Sequence, residues 1–269
     1  MVRINYVLNR HIIQASPSTP AEIGLKKLVN ELAASKSSRS IDETLVATYR
    51  SICGCLLYST IAVRADAAYA VGMLCRVVTC PDDKALKAAS RALEYLVKHN
   101  DWAITFDGSL GLNIEAFVDA DWAADGPSTT GYVAKVAGGL VAWKSVKQKC
   151  ITLSSCEAEL VAANAAGAEC VHLKHLLEDL MGVEAGEVSM KGDLGCDNQG
   201  TISFINTPVK TMSRMKHVER DYLKIREWVE NKLFNLFYVP TKKNPADLLT
   251  KALCPQQFQK LRAFFLNRA

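Results

Sequence analysis

The chain has 269 residues, 49% of them hydrophobic and 22% charged. That balance supports a folded core and excludes a disordered, highly charged chain. A net charge of +4 with pI ≈ 8.5 permits a nucleic-acid partner without requiring one, since dedicated binding domains are usually more basic. No apolar run approaches the ~20 residues of a membrane span. The opening "MVRINYVLNRHIIQASPS" lacks the apolar core and cleavage pattern of a signal peptide. The expectation is an intracellular protein with no membrane partner. Nine cysteines, most in apolar surroundings and none in a CxxC pair, read as buried free thiols rather than a zinc site.

In chain order, the first third looks helical. "STPAEIGLKKLVNELAASK" sets Pro near a first helical turn and apolar residues at helical spacing, as the helical part of a first region, 1–36. A polar "SSRSID" follows, and then a helical region, 37–100. Its segments are "ETLVATYRSICGCLLYSTIAV", "DAAYAVGMLCRVVTC" and "PDDKALKAASRALEYLVKH". The first two are apolar nearly all round and are expected to pack together. The third opens on Pro81 and two Asp, which suit a helix start. Nothing before residue 101 looks catalytic.

Residues 101–111, rich in glycine and turn acids, read as a linker. From 112 the period shortens to two. "LNIEAFVD", "TGYVAKVAG" and "LVAWKS" read as an antiparallel meander. A long helix, "SSCEAELVAANAAGAECVHLKHLLEDLMG", ends at Gly182. A strand in "VSMKGDLGCDN", a short helix "QGTISFIN", an amphipathic helix "HVERDYLKIREWVEN" and a strand "LFNLFYVP" follow. "NPADLLTKAL" is expected to open a final helix, with 254–269 as a helical tail. This order predicts an α/β fold: one mixed sheet covered by helices, over 112–253, preceded by an all-helical segment.

Acids recur where these elements end. Asp119 closes the first strand of the meander, Asp197 closes the fourth strand, and Asp247 lies in the first turn of a late helix. Singly, each reads as a turn or cap residue. Together, at the edge of one sheet, they match clustered ligands for a hard divalent cation. The long helix offers Glu157 and Glu159. Ser154-x-x-Glu157 is a capping box, which gives Glu157 a structural task. Glu159 shares a stripe with Ala162, Ala163 and Ala166, whose small side chains let that face approach a sheet, so Glu159 is the preferred ligand and Glu157 the alternative. Asp119 is preferred over Asp121, which alternation puts on the same face as a supporting or alternative group. Asp125, beside Gly126 and Pro127, reads as a turn residue.

The motifs "FVDADWAAD", "TTGYVAKVAGGLVAWKSVKQKCITLSSCEAELVAANAAGAE", "CDNQGTISFIN" and "SRMKHVERDYLKIREWVENKLFNLFYVPTKKNPADLLTK" fall in an order that resembles the ribonuclease H domain of copia-type LTR-retrotransposon Pol polyproteins. The likeness covers about 112 to 253. Upstream, "YRSICGCLLYSTIAVRADAAYAVGMLCRVV" is similar to the helical segment joining polymerase to ribonuclease H in these elements, with Ala65 where the family usually has Pro. The resemblance implies a ribonuclease H-like fold with a five-stranded mixed sheet, and hydrolysis of the RNA strand of RNA–DNA hybrids. Asp119, Glu159, Asp197 and Asp247 match the family's carboxylates. The implied cofactor is a pair of Mg²⁺ ions, with Mn²⁺ as a substitute, roughly 3.5–4 Å apart. The implied partners are the hybrid and the polymerase part of a polyprotein, in a cytoplasmic virus-like particle or the nucleus. Asn198 and Gln199 are candidates for contact with the 2′-OH, or a helix-capping pair. Lys144, Lys147, Lys149, Lys210, Arg214 and Lys216 could track phosphates. Many ribonucleases H carry a His in the loop before the last helix, whereas "VPTKKNPAD" has Lys242 and Lys243 instead. The chain has no polymerase motif. The competing class is a catalytically silent retroelement remnant that folds and at most binds nucleic acid.

Overall fold

The computed structural model describes residues 43–182, 193–207 and 224–268, with the strands at 3–7 and 12–16. The helix expected at 18–36, and Lys210, Arg214, Lys216 and the start of the 217–231 helix, lie outside the described residues. The chain forms two compact units: 1–105 with 251–269, and 106–250.

The first unit contains β1 (Arg3–Val7) and β2 (Ile12–Ser16), paired antiparallel. Three helices follow: α1 (Glu43–Ala62), α2 (Ala68–Cys75) and α3 (Asp83–Lys98). As expected from their composition, α1 and α2 pack together. Tyr49, Cys53 and Leu56 of α1 meet Val71 and Leu74 of α2 and the alanine face of α3 in one cluster. The Tyr49 hydroxyl donates to the Leu74 carbonyl at 2.8 Å. Asp82 caps α3 by accepting from the Ala85 N–H.

The segment 37–100, over the residues described, is helical as expected. Three other expectations are corrected, the first concerning the sequence on either side of it. Residues read as linker contain β3 (Trp102–Asp107), which pairs with β9 (Asn267–Arg268) in a sheet ordered β1-β2-β3-β9. Val2-Arg3-Ile4-Asn5-Tyr6 does alternate strictly, a strand signal over β1 that the helical reading of this end passed over. The second concerns membranes: the stretch Thr44–Ala62 is long and apolar enough to cross one by composition. Its inward side nonetheless belongs to the cluster just described. The third concerns the thiols. All nine cysteines are free, but only Cys53, Cys170 and Cys196 are buried.

The helix α7 (Pro255–Phe265), read as a tail, is part of the first unit. Phe258 packs on the α1–α3 cluster. Arg262 lies 4.0 Å over the Trp102 ring and donates to the Tyr95 hydroxyl at 2.8 Å. Tyr95 in turn donates to Asp66, whose carboxylate also takes a two-pronged bond from Arg64 at 2.8 and 2.7 Å. Arg64 and Asp66 are both buried, so this pairing offsets the cost of holding charge away from water.

The second unit holds the predicted sheet. Strands β4 (Ile114–Asp121), β5 (Thr129–Val136) and β6 (Gly139–Lys147) form the antiparallel meander. β7 (Asp193–Cys196) runs parallel to β4, and β8 (Leu236–Tyr238) runs parallel to β7. The order is β6-β5-β4-β7-β8. The long helix α4 (Ser155–Met181) crosses β4 and β5. Its Ala162, Ala163, Ala166 and Cys170 join Ala116, Val118, Tyr132 and Leu194 in the core. Gly182 ends α4 in the left-handed conformation, φ +63°. Helices α5 (Gln199–Asn206) and α6 (Lys224–Glu230) complete the covering of that face.

The sequence reading opens a final α-helix at "NPADLLTKAL"; the structure has a 3₁₀ turn over Pro245–Leu249 instead. Thr250 closes it by an N–H bond to the Asp247 carbonyl. Cys254, preceding Pro255, is extended, as a residue before proline prefers, so the turn and α7 cannot fuse.

Candidate metal centre

Asp119 is the sixth residue of β4, and strand alternation turns it away from the α4 face occupied by Val118. It is buried. Its cross-strand partner on β5 is Gly131. That glycine lets the 3₁₀ turn lie directly on the sheet: a Cβ there would fall 2.6 Å from Thr250 Cγ2 and 2.9 Å from Leu249 Cβ. The turn is held at several points. The Asn244 side chain donates to the Val118 carbonyl at 2.8 Å and accepts from the Ala246 N–H at 3.1 Å. Ser145 on β6 donates to the Leu249 carbonyl at 2.6 Å. The Thr250 hydroxyl donates to Asp119 Oδ2. The buried Asp247 is thereby brought over the end of β4.

Asp197 follows the last residue of β7, which is parallel to β4, so the two strands deliver their acids to the same edge. One carboxylate oxygen from each of Asp119, Asp197 and Asp247 lies within 4.8 Å of the others. A second group, Glu159, Cys196 and Asp197, meets the same limit, so Asp197 is common to both. Glu159 is buried, one turn into α4. Burial and the neighbouring acids Glu159, Asp197 and Asp119 raise the Cys196 thiol well above its ordinary range, keeping it protonated.

Glu157 and Asp121 are placed differently. Ser154 accepts from the Glu157 N–H at 3.2 Å, and Glu157 Oε2 accepts from the Leu153 N–H at 2.7 Å. The capping box thus closes on the residue before the cap rather than on the cap itself. Asp121, the last residue of β4, is exposed, as is Asp125. Asn198 caps α5 by accepting from the Thr201 N–H at 3.0 Å, and Gln199 is exposed beside it. Lys144, Lys147 and Lys149 are all exposed. Register separates the two on β6. Lys147 aligns with Thr129 and Asp121 on the face of the acids, whereas Lys144 aligns with Tyr132 on the α4 face.

Sequence reasoning passed over the side chains that hold these elements together. Gln148 is buried and donates to the Ala158 carbonyl at 2.9 Å and to the Thr130 hydroxyl at 3.1 Å, tying the first turn of α4 to the meander. Asn244 had a legible signal, an Asn before Pro at a helix start. Gln148, Ser145 and Thr250 had none, because their partners are remote in sequence.

The donor set suits a hard cation: carboxylate oxygens, mostly buried, on rigid elements. A five-stranded mixed sheet with helices packed on it, and acids gathered where adjacent strands end, defines a ribonuclease H-like fold. The chain belongs to the retrovirus-related Pol polyproteins of copia-type transposons. It is 34% identical over 214 residues to the Pol polyprotein from transposon TNT 1-94 of Nicotiana tabacum, covering 78% of this chain and 16% of that protein. To the Pol polyprotein from transposon RE2 of Arabidopsis thaliana it is 35% identical over 214 residues, 78% of this chain and 14% of the relative. The chain therefore spans about a sixth of the length of these relatives. Among solved structures, a ribonuclease H1 isolated from compost aligns with 55% of this chain and 97% of its own, at 19% identity and a TM-score of 0.38. No family model matches the chain.

Proposed function

We propose that the chain hydrolyses the RNA strand of RNA–DNA hybrids at the carboxylate centre, as the ribonuclease H part of a Pol polyprotein. One observation carries this reading: Asp119, Asp197 and Asp247, brought from three elements, converge within 4.8 Å, and Glu159 adjoins Asp197. In this proposal Asp119, Glu159, Asp197 and Asp247 are the residues that would hold a pair of Mg²⁺ or Mn²⁺ ions. Cations bound there supply a more acidic water and neutralise charge on the leaving oxygen. The protein's own contribution is rigidity, since each acid sits on a strand end, a helix turn or a pinned 3₁₀ turn. Lys147, on the same face, and Lys149 steer phosphates toward the acids. Gln199, with the amide of Asn198 left over from capping, offers polar contact to a 2′-OH. The helical region at 37–100 serves as the connection to a polymerase part, the proposed protein partner.

The test is Mg²⁺-dependent cleavage of a labelled RNA–DNA hybrid by the chain and by Asp197→Asn. The unmodified chain is expected to release RNA fragments and the variant to release none. Absence of cleavage by the unmodified chain would favour a silent, hybrid-binding remnant. Equal cleavage by both would reject the site.

A further inference from the structure

We propose that Thr250 is a positioning residue whose hydroxyl sets the cation affinity of the centre by fixing the plane of the Asp119 carboxylate. This inference rests on the metal reading above and adds a determinant to it. Thr250 is fully buried, and its Oγ1 donates to Asp119 Oδ2 while lying 3.4 Å from the Asp247 carbonyl. One hydroxyl therefore links the Asp119 carboxylate on β4 to the backbone of the turn that carries Asp247.

The hydroxyl has little freedom to leave that position. The Thr250 methyl is pressed against Gly131, which stands opposite Asp119 in the register. The turn carrying Thr250 is anchored through Asn244 to the Val118 carbonyl, the residue before Asp119, and through Ser145 to the Leu249 carbonyl. A rotation of the Thr250 side chain would carry the methyl or the hydroxyl into packed atoms. The donor is thus built into the scaffold rather than borrowed from solvent. A carboxylate held in one plane loses less freedom when a cation binds, and groups that orient ligands in this way typically change metal affinity about 10–100-fold when removed.

The test compares Thr250→Val, which keeps the shape and removes the hydroxyl, with Thr250→Ser, which keeps the hydroxyl and removes the methyl. Mn²⁺ binding to the full chain is measured by calorimetry, alongside the Mg²⁺ concentration for half-maximal hybrid cleavage. Thr250→Val is expected to weaken Mn²⁺ binding about tenfold or more and to raise the Mg²⁺ requirement in step. The KM for the hybrid at saturating Mg²⁺ should stay unchanged. Thr250→Ser should stay within about threefold of the unmodified chain. Unmodified affinity in Thr250→Val would overturn the proposal. So would a loss in Thr250→Ser as large as that in Thr250→Val, which would assign the effect to the methyl. If the valine variant fails to fold, Thr250→Ala takes its place, since it differs from Thr250→Ser by the hydroxyl alone, and equal Mn²⁺ affinities in those two would overturn the proposal. No Mn²⁺ binding by the unmodified chain would overturn the metal reading and this inference together, whereas equal affinities overturn this inference alone.

Discussion

Gly131 shows how a residue with no side chain can govern a charged centre. It stands beside Asp119 in the sheet, and the 3₁₀ turn bearing Asp247 occupies the space its Cβ would need. Gly131→Ala should therefore cost about 1–3 kcal/mol through overpacking. The contacts at 2.6 and 2.9 Å are side-chain atoms of Thr250 and Leu249, but the Ala246 carbonyl at 3.1 Å is backbone, so relief requires moving the turn. Thermal denaturation would measure the loss, and Mn²⁺ binding should weaken with it because Asp247 rides on the displaced turn. Asn244 acts from the other end. Asn244→Ala removes a cap and leaves the buried Val118 carbonyl without that donor, for about 1–3 kcal/mol by the same measurement.

Among the elements, α4 and the 245–249 turn differ in how far local sequence explains them. Ser154, Glu157 and Gly182 mark both ends of α4, and the small residues between them lay it flat on the sheet. Ser154→Ala should destabilise the fold by about 1 kcal/mol. Because Glu159 sits in the second turn, fraying at this end should also lower cation affinity, which distinguishes Ser154 from a cap far from the acids; chemical denaturation and Mn²⁺ titration read the two effects. The turn is another matter. "NPADLLTKAL" has the composition of a helix start, and local propensity favours one. It stops after five residues because the Asn244 and Thr250 side chains bond to the meander and Ser145 of the meander donates to the Leu249 carbonyl, which together fix its path. Those partners are up to 131 residues away, so no window of sequence around the turn contains them.

For the whole molecule, the first unit has its own electrostatic keystone. Burial alone would raise the Asp66 carboxyl, but the Arg64 guanidinium and the Tyr95 hydroxyl outweigh it and hold the group below its ordinary 3.8. A carboxylate with a depressed folded value contributes stability that is present above 3.8 and lost as pH falls through the lower, folded value. Acid unfolding of the unmodified chain should thus include a loss in that window that Asp66→Asn does not show, since the amide does not titrate. Circular dichroism against pH would resolve the difference. Arg262 of α7 reaches the same network through Tyr95, which is why 251–269 belongs with residues before 106 despite lying at the other end of the sequence.

Much of the second unit was legible in the chain by itself. Alternation placed β4, β5 and β6, the capping box and Gly182 bounded α4, and the acids after apolar runs marked where a site would form. These are local properties: side-chain period, cap chemistry and turn preference act over a few residues, and the sequence displays them directly. Tertiary structure alone decided the rest. It brought Asp247 over Asp119 on a 3₁₀ turn rather than a helix and set Lys147, not Lys144, on the acidic face. It also recruited Gln148, Ser145 and Thr250 as supports, and folded α7 back onto the helical unit. Each of these outcomes depends on hydrogen bonds and close packing between residues tens to more than a hundred positions apart. Such pairings exist only once the sheet has brought the partners together.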